Sequence, residues 1–244
     1  MCTGRVDPRH IFRAFSNGMD GVFIGGCRLN ECHYTTHGNF QALNMVLLCK
    51  KILEYLGLNP ERLRIGFMSS GDGIHYARTI DDFEKTVKHL GPLGDGEGID
   101  KNALRRRIEE VTKLIPYIKI VKKEKLRARR DTETAYENLF STDEISRFFE
   151  EVISYYIDPE KCQACMICFR KCTMEAIDGA KNQIHVIDQE KCIRCGNCFE
   201  VCPSKFGAVQ KINGLSVPPA ISDQERTVIR KNKKPEAQLC SSGQ

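Results

Sequence analysis

The chain contains no tryptophan, and aromatic residues make up only 8% of its 244 positions. It holds no apolar run of roughly eighteen residues, which excludes a membrane-spanning helix on length, so any membrane link would need a partner. It opens Met1-Cys2-Thr3-Gly4-Arg5 without an apolar signal region, and a cytoplasmic, reducing setting is expected. No nucleophile is paired with a base, no carboxylates are poised together, and no G-x-G-x-x-G fingerprint occurs. A substrate site is therefore not expected, and a non-catalytic role is. What the chain does have is cysteine, 13 in all.

Eight of these cysteines fall in two runs of identical spacing, C-x2-C-x2-C-x3-C. They are Cys162, Cys165, Cys168 and Cys172, then Cys192, Cys195, Cys198 and Cys202, the last followed by Pro203. The pattern is a two-cluster iron–sulfur signature, in which the fourth thiolate of each run reaches the other cluster. Two-residue gaps let a tight loop aim three thiolates at three irons of one cube, leaving the fourth iron to a distant cysteine. One [4Fe–4S] cluster is expected on Cys162, Cys165, Cys168 and Cys202, and a second on Cys192, Cys195, Cys198 and Cys172. Zinc knuckles offer two cysteines each rather than four, so structural zinc is the weaker reading. Disulfide scaffolds belong to small secreted chains and fit less well still.

Ahead of this module, Asp7-Pro8 followed by Ile11, Phe12, Phe15 and Gly18 predicts a short capped helix. Asp20 to Gly26 predicts a buried strand, with Cys27 just beyond its carboxyl end, where ligands gather in open α/β sheets. Asn39 to Gly57 has helical apolar spacing, with Cys49 on its apolar stripe as a core thiol. Leu63 to Ser69 predicts a second strand, and Asp81 to Leu90 another helix. The alternation implies a doubly wound, flavodoxin-like parallel sheet. The loop Ser69-Ser70-Gly71-Asp72-Gly73 lies where backbone amides can bind an anion, though a plain turn is preferred. Gly91, Gly94, Gly96 and Gly98 read as a linker.

Between Lys101 and Arg130 the chain is helical and basic, with Pro116 expected to kink or end the helix. Ser141 to Ile157 predicts a further helix with Thr142 as its cap. The expected organisation is an α/β domain at 1–98, a basic helical linker at 99–155, a small α+β dicluster ferredoxin domain at 156–212, and a flexible tail at 213–244. The net charge is +5, and its basic cluster comprises Arg105, Arg106, Arg107, Lys122, Lys123, Lys125, Arg127, Arg129 and Arg130. A solvated face or a dock for an acidic redox partner is preferred to nucleic-acid binding, since no nucleic-acid fold accompanies it.

The blocks Met1-Cys2-Thr3-Gly4-Arg5-Val6-Asp7-Pro8, Asp20-Gly21-Val22-Phe23-Ile24-Gly25-Gly26-Cys27, Glu31-Cys32-His33-Tyr34, Gly38-Asn39-Phe40 and Gly57-Leu58-Asn59-Pro60-Glu61-Arg62-Leu63-Arg64, with Leu90-Gly91-Pro92, resemble the methyl-viologen-reducing hydrogenase delta subunit family over residues 1–95. The resemblance implies an electron adaptor of anaerobic metabolism. Such an adaptor links a hydrogenase or formate dehydrogenase-type donor to a heterodisulfide-reductase-like flavoprotein subunit, and it carries a [2Fe–2S] cluster. Cys2, Cys27 and Cys32 match its cysteine positions. Family members usually carry a further strand and a Cys-x2-Cys segment upstream, so one ligand of the four is missing here. Either the cluster is absent, a partner supplies the missing strand and thiolates, or the reading frame starts too late, for instance after a selenocysteine codon read as a stop. An intact mass matching a start at Met1 would remove the last. His33 is expected to be structural rather than a ligand.

The expected function is electron transfer within a cytoplasmic redox complex, without direct membrane insertion and without nucleic acid. The alternative is a redox-sensing or thiol-active iron–sulfur protein using Cys27 and Cys32 as an exposed pair.

Overall fold

The computed structural model describes residues 2–34, 38–129, 135–136 and 138–227. Arg130 of the basic cluster and Cys240 of the tail lie outside the described residues. The chain divides into two compact units, Met1–Val152 and Ile153–Gln244.

In the first unit, helix α1 (Pro8–Ser16) starts where the Asp7 carboxylate accepts the Arg9 N–H and Pro8 fills the first helical turn. It buries Ile11, Phe12 and Phe15. Strand β1 (Val22–Gly26) pairs in parallel with β2 (Leu63–Phe67), Val22 lying opposite Leu63 and Gly26 opposite Phe67. Helix α2 (Asn39–Leu56) connects them and ends at Gly57, whose φ of 85° is the left-handed stop that glycine accepts freely. Helix α3 (Gly73–Leu90) starts eight residues before the predicted Asp81 and is anchored by Phe83.

The doubly wound sheet expected from the alternation is not seen. Among the described residues the unit has two parallel strands. Where a third strand would follow α3, the chain runs through Gly91, Gly94, Gly96 and Gly98 instead, and this stretch is no linker. It wraps the fully buried Arg62. Arg62 Nε lies 2.6 Å from Glu97 Oε1 and Nη2 3.0 Å from Glu97 Oε2. Its Nη1 donates to the carbonyls of Asp20 and Gly91, each at 2.9 Å. A Cβ on Gly96 would stand 2.0 Å from the Leu90 carbonyl, so the wrap requires glycine there.

Residues 99–155 are not a linker either. Helix α4 (Lys101–Val121) buries Leu104, Ile108, Val111, Leu114, Ile115 and Ile118 in the same core as α1 and α2. Helices α5 (Lys123–Arg127) and α6 (Thr142–Glu150) add Leu126 and Ile145 to it. Each side chain buried this way contributes about 1.5–3 kcal/mol. Pro116 neither breaks nor ends α4, although an interior proline costs about 3 kcal/mol, because the burial around it outweighs that cost.

Much of the basic cluster ties this layer down. Lys122 and Lys125 both bind Glu144, Arg107 donates to the Tyr55 carbonyl at 3.2 Å, and Arg129 bonds Asn30 and lies 4.5 Å over the Phe40 ring. The cap of α6 is Ser141, not Thr142; its hydroxyl accepts the Glu144 N–H at 3.1 Å.

The predicted helix from Ser141 to Ile157 stops at Glu150. Ile153–Ile157, rich in β-branched and aromatic residues, forms strand β3 and opens the second unit. It pairs antiparallel with β6 (Val209–Asn213). Between them come α7 (Ile167–Lys171), β4 (Ile177–Asp178) paired with β5 (Val186–Ile187), and α8 (Asn197–Val201). The tail expected to be flexible from residue 213 packs back as far as Thr227. Ile221 lies against the core, Gln183 bridges to Thr227, and the Ile184 N–H donates to the Arg226 carbonyl at 2.7 Å. No helix of the described residues is long and apolar enough to cross a membrane.

Candidate iron–sulfur centres

Each cysteine of the second run stands 30 positions after its counterpart, Cys192 after Cys162 and Cys202 after Cys172. The loops repeat that period in their backbone. Ala164 (φ 49°) and Arg194 (φ 56°) are left-handed, as are Met166 (φ 65°) and Gly196 (φ 85°). A left-handed non-glycine residue costs roughly 1–2 kcal/mol, so these turns persist because their surroundings hold them. Met166 and Gly196 are the residues from which α7 and α8 start.

Cys172 of the first run lines the same recess as Cys192, Cys195 and Cys198 of the second, walled by Tyr155, Ala176, Ile177 and Ile187. The reciprocal set shows in the electrostatics. Burial pushes the Cys168 thiol up to about 12, and Cys162, Cys165 and Cys202 push in the same direction. Cys198 is likewise pushed up to about 12 by burial, then by Cys192, Cys195 and Cys168. Burial also raises Cys192, against the Arg194 N–H and guanidinium that favour its thiolate. Metal binding releases the protons of such thiols.

The residues fit iron–sulfur chemistry. A single zinc ion needs its sulfurs about 2.3 Å from one point. Among the described residues no three His, Cys, Asp or Glu side chains are grouped to hold a single metal ion, while four cysteines, Cys172, Cys192, Cys195 and Cys198, line one recess. A cube gives each of four thiolates its own iron and suits that set.

Sequence reasoning missed His185. It precedes Cys192 by seven positions, as Tyr155 precedes Cys162, and the repeat offset alone would have marked it. His185 is 1% exposed, with Nδ1 at 3.9 Å from both Cys162 Sγ and Cys168 Sγ. Burial, then the charge of Arg226, pushes its imidazole below the ordinary value, with Asp178 opposing.

In the first unit, Cys2, Cys27 and Cys32 come together at the carboxyl end of β1. Cys2 Sγ lies 3.6 Å from Cys32 Sγ and accepts the Gly4 N–H at 3.4 Å. Asn39 Nδ2 holds the Cys27 carbonyl at 2.8 Å. Burial, then Cys32 and Cys2, pushes the Cys27 thiol up. Burial acts the same way on Cys32, but the N–H groups of Tyr34 and Asn39, with the Cys2 and Cys27 thiols, bring it below the ordinary value. Cys32 is 8% exposed, so Cys27 and Cys32 are not the exposed pair that thiol chemistry requires. A Cβ on Gly38 would meet Cys32 Sγ at 2.3 Å, so the loop closes on that thiol only through a glycine. His33 is exposed, with Tyr34 against its ring. Cys49 is fully buried in the core, its thiol pushed up by burial.

The loop Ser69–Gly73 is internally satisfied. Asp72 accepts the Ser69 N–H at 2.8 Å and pairs with Arg28 at 2.6 Å, so a carboxylate of the chain holds the position an anion would take.

The fold and thiols of the second unit define an iron–sulfur protein of the dicluster class, and a 4Fe-4S dicluster domain matches residues 154–203 and 184–240. The first unit supplies the family. The methyl-viologen-reducing hydrogenase delta subunit matches residues 1–91, and the chain belongs to that family. It is 44% identical over 92 residues to an iron-sulfur subunit of the F420-non-reducing hydrogenase of Archaeoglobus profundus, covering 38% of this chain and 66% of that one. It is 42% identical over 91 residues to an iron-sulfur subunit of the vhu F420-non-reducing hydrogenase of Methanococcus maripaludis, covering 37% and 67%. It is also 40% identical over 94 residues to one subunit of the ferredoxin/F(420)H(2)-dependent CoB-CoM heterodisulfide reductase of Methanosarcina acetivorans, covering 38% of this chain and 12% of that one. The chain thus spans about two thirds of the hydrogenase subunits and a small part of the reductase protein.

Proposed function

We propose that the chain is an electron-transfer subunit of a multi-subunit redox complex in the cytoplasm. In this reading Cys162, Cys165, Cys168 and Cys202 hold one [4Fe–4S] cluster, and Cys192, Cys195, Cys198 and Cys172 hold the other. The protein's own part is to bind the clusters, bury them and set their potentials by hydrogen bonds to sulfur. The observation that carries the reading is Cys172, which crosses from its own run to line the recess of the other.

The partners proposed are a hydrogenase or formate dehydrogenase-type protein and a heterodisulfide-reductase-like flavoprotein, since relatives bear the names of hydrogenase and heterodisulfide reductase complexes. Cys2, Cys27 and Cys32 are proposed as part of a [2Fe–2S] site.

Anaerobic purification with iron and sulfide counting tests the core of this. About eight of each per chain are expected in the second unit's clusters. Cys172→Ser should then alter the EPR signal of the cluster on the second run while sparing the first. Zinc in place of iron, or damage confined to the first run's cluster, would overturn the assignment. Thiol trapping that labelled Cys27 and Cys32 in the loaded protein would replace the adaptor reading with a redox-sensing one.

A further inference from the structure

The two halves of the second unit are related by a crossed exchange of neighbours. Tyr155 belongs to the first half but faces the second: its ring lines the recess of Cys172, Cys192, Cys195 and Cys198, and meets Phe199 at 6.2 Å. His185 belongs to the second half and faces the first, where its ring stacks at 6.2 Å on Phe169, the counterpart of Phe199. Its Nε2 lies 3.1 Å from Met166 Sδ, and Met166 is the counterpart of Gly196. A Cβ on Gly196 would come within 2.8 Å of the Tyr155 hydroxyl. At matching positions one thiol set therefore faces a phenol ring and the other an imidazole.

The imidazole is held rigidly. A Cβ at Gly179 would lie 2.2 Å from His185 Cδ2, so that glycine makes room for the ring. The preceding Ile184 is gripped by Arg226, whose carbonyl takes the Ile184 N–H at 2.7 Å and whose Nε donates to the Ile184 carbonyl at 3.1 Å. Arg226 in turn pairs with Asp178 and Asp223, each at 2.8 Å. The ring nitrogens have sulfur on both sides, and a thiolate is a far better acceptor than a thioether. In the tautomer protonated on Nδ1 the ring donates toward Cys162 and Cys168.

We propose that His185 sets the potential of the first cluster by donating its Nδ1–H to the sulfurs of Cys162 and Cys168, making the two centres of the module unequal. This rests on the two-cluster reading above. A donor aimed at a ligand sulfur favours the reduced level, because the added electron raises the charge on the sulfurs, and so it raises the potential. His185 is a positioning residue here. It touches the ligands and makes no bond to iron.

The test uses the full chain, purified anaerobically, as His185→Phe and His185→Gln, with EPR-monitored redox titration. His185→Phe keeps the stacking and removes the donor. At a fixed potential the reduced-to-oxidised ratio of one centre should fall about tenfold, a shift of about 59 mV for one electron, while the other centre stays put. His185→Gln retains an N–H and should recover most of the shift. No movement of either centre in His185→Phe, or equal movement of both, would overturn the proposal. Should His185→Phe not take up iron, pulsed EPR of the reduced wild-type protein labelled with 15N-histidine decides. A 15N coupling on one [4Fe–4S] signal supports the donor, and its absence refutes it. A wild-type iron and sulfide count incompatible with two clusters would instead sink the reading on which this rests.

Discussion

The two units of the chain are held together by different means. The first buries a continuous apolar core drawn from α1, α2, α4, α5 and α6, and adds the ion pair of the buried Arg62 with the half-buried Glu97. The second has a small core in which Cys162 and Cys168 are themselves members, beside Tyr155, Ile157, Ile177, Ile187 and Val209. In one unit the side chains that fold the protein are distinct from those that serve chemistry; in the other they are the same. Small domains of the second kind depend on their metal as a staple.

The sharpest break of that comparison is cluster removal. Anaerobic chelation should abolish the cooperative transition of the second unit and open 153–227 to protease, while the first unit melts as before. Calorimetry with limited proteolysis reads both, and a second unit that keeps its transition without iron would contradict the contrast. Next in size is Arg62→Ala, which leaves the half-buried Glu97 carboxylate and the Asp20 and Gly91 carbonyls without their donor and should cost the first unit about 3 kcal/mol in chemical denaturation, with iron content unchanged. Smaller still is Ser141→Ala, which removes the α6 cap and should cost about 1 kcal/mol in the same unit alone.

The finest probe is pH. Burial would raise Asp7, but Lys119 and the Arg9 N–H hold its carboxyl at about 2, below the ordinary 3.8. A depressed carboxylate stabilises the fold above its ordinary value and loses that contribution as pH falls through the folded one. The first unit should therefore lose Asp7's share between about pH 4 and 2. Asp7→Asn should flatten that part of the curve, and an unchanged curve would remove the Lys119 contact from the account.

Much of this was legible locally. The helix at Pro8 follows from Asp7-Pro8, α2 from its apolar stripe and Gly57, and the two strands from short apolar runs. Most of what was misread shares one cause. Pro116, the glycines from 91 to 98 and the stretch through Thr227 have local signals for breaking, linking or fraying, and distant partners override each of them; Ile153–Ile157, expected to end a helix, instead follows its own β-branched and aromatic residues into a strand. Pro116 sits in a buried helix, Gly96 yields to the Leu90 carbonyl around Arg62, Ile153–Ile157 finds β6, and Arg226 finds Ile184 and Asp178. The candidate site divides the same way. All eight cysteines of the second unit stood out by spacing; the 30-residue offset marks the position of His185, opposite Tyr155, but only the structure puts its ring beside Cys162 and Cys168.

By itself the sequence determined which thiols exist, how tightly each run must turn and where the first helix begins, because those depend on neighbours a few residues apart. Only the tertiary structure decided that Cys172 lines the recess of the other run, that an imidazole stands where the matching half has a phenol, and that the basic helices belong to the first core. Those outcomes depend on pairs of residues far apart in the chain, whose meeting is set by which apolar faces can be buried together.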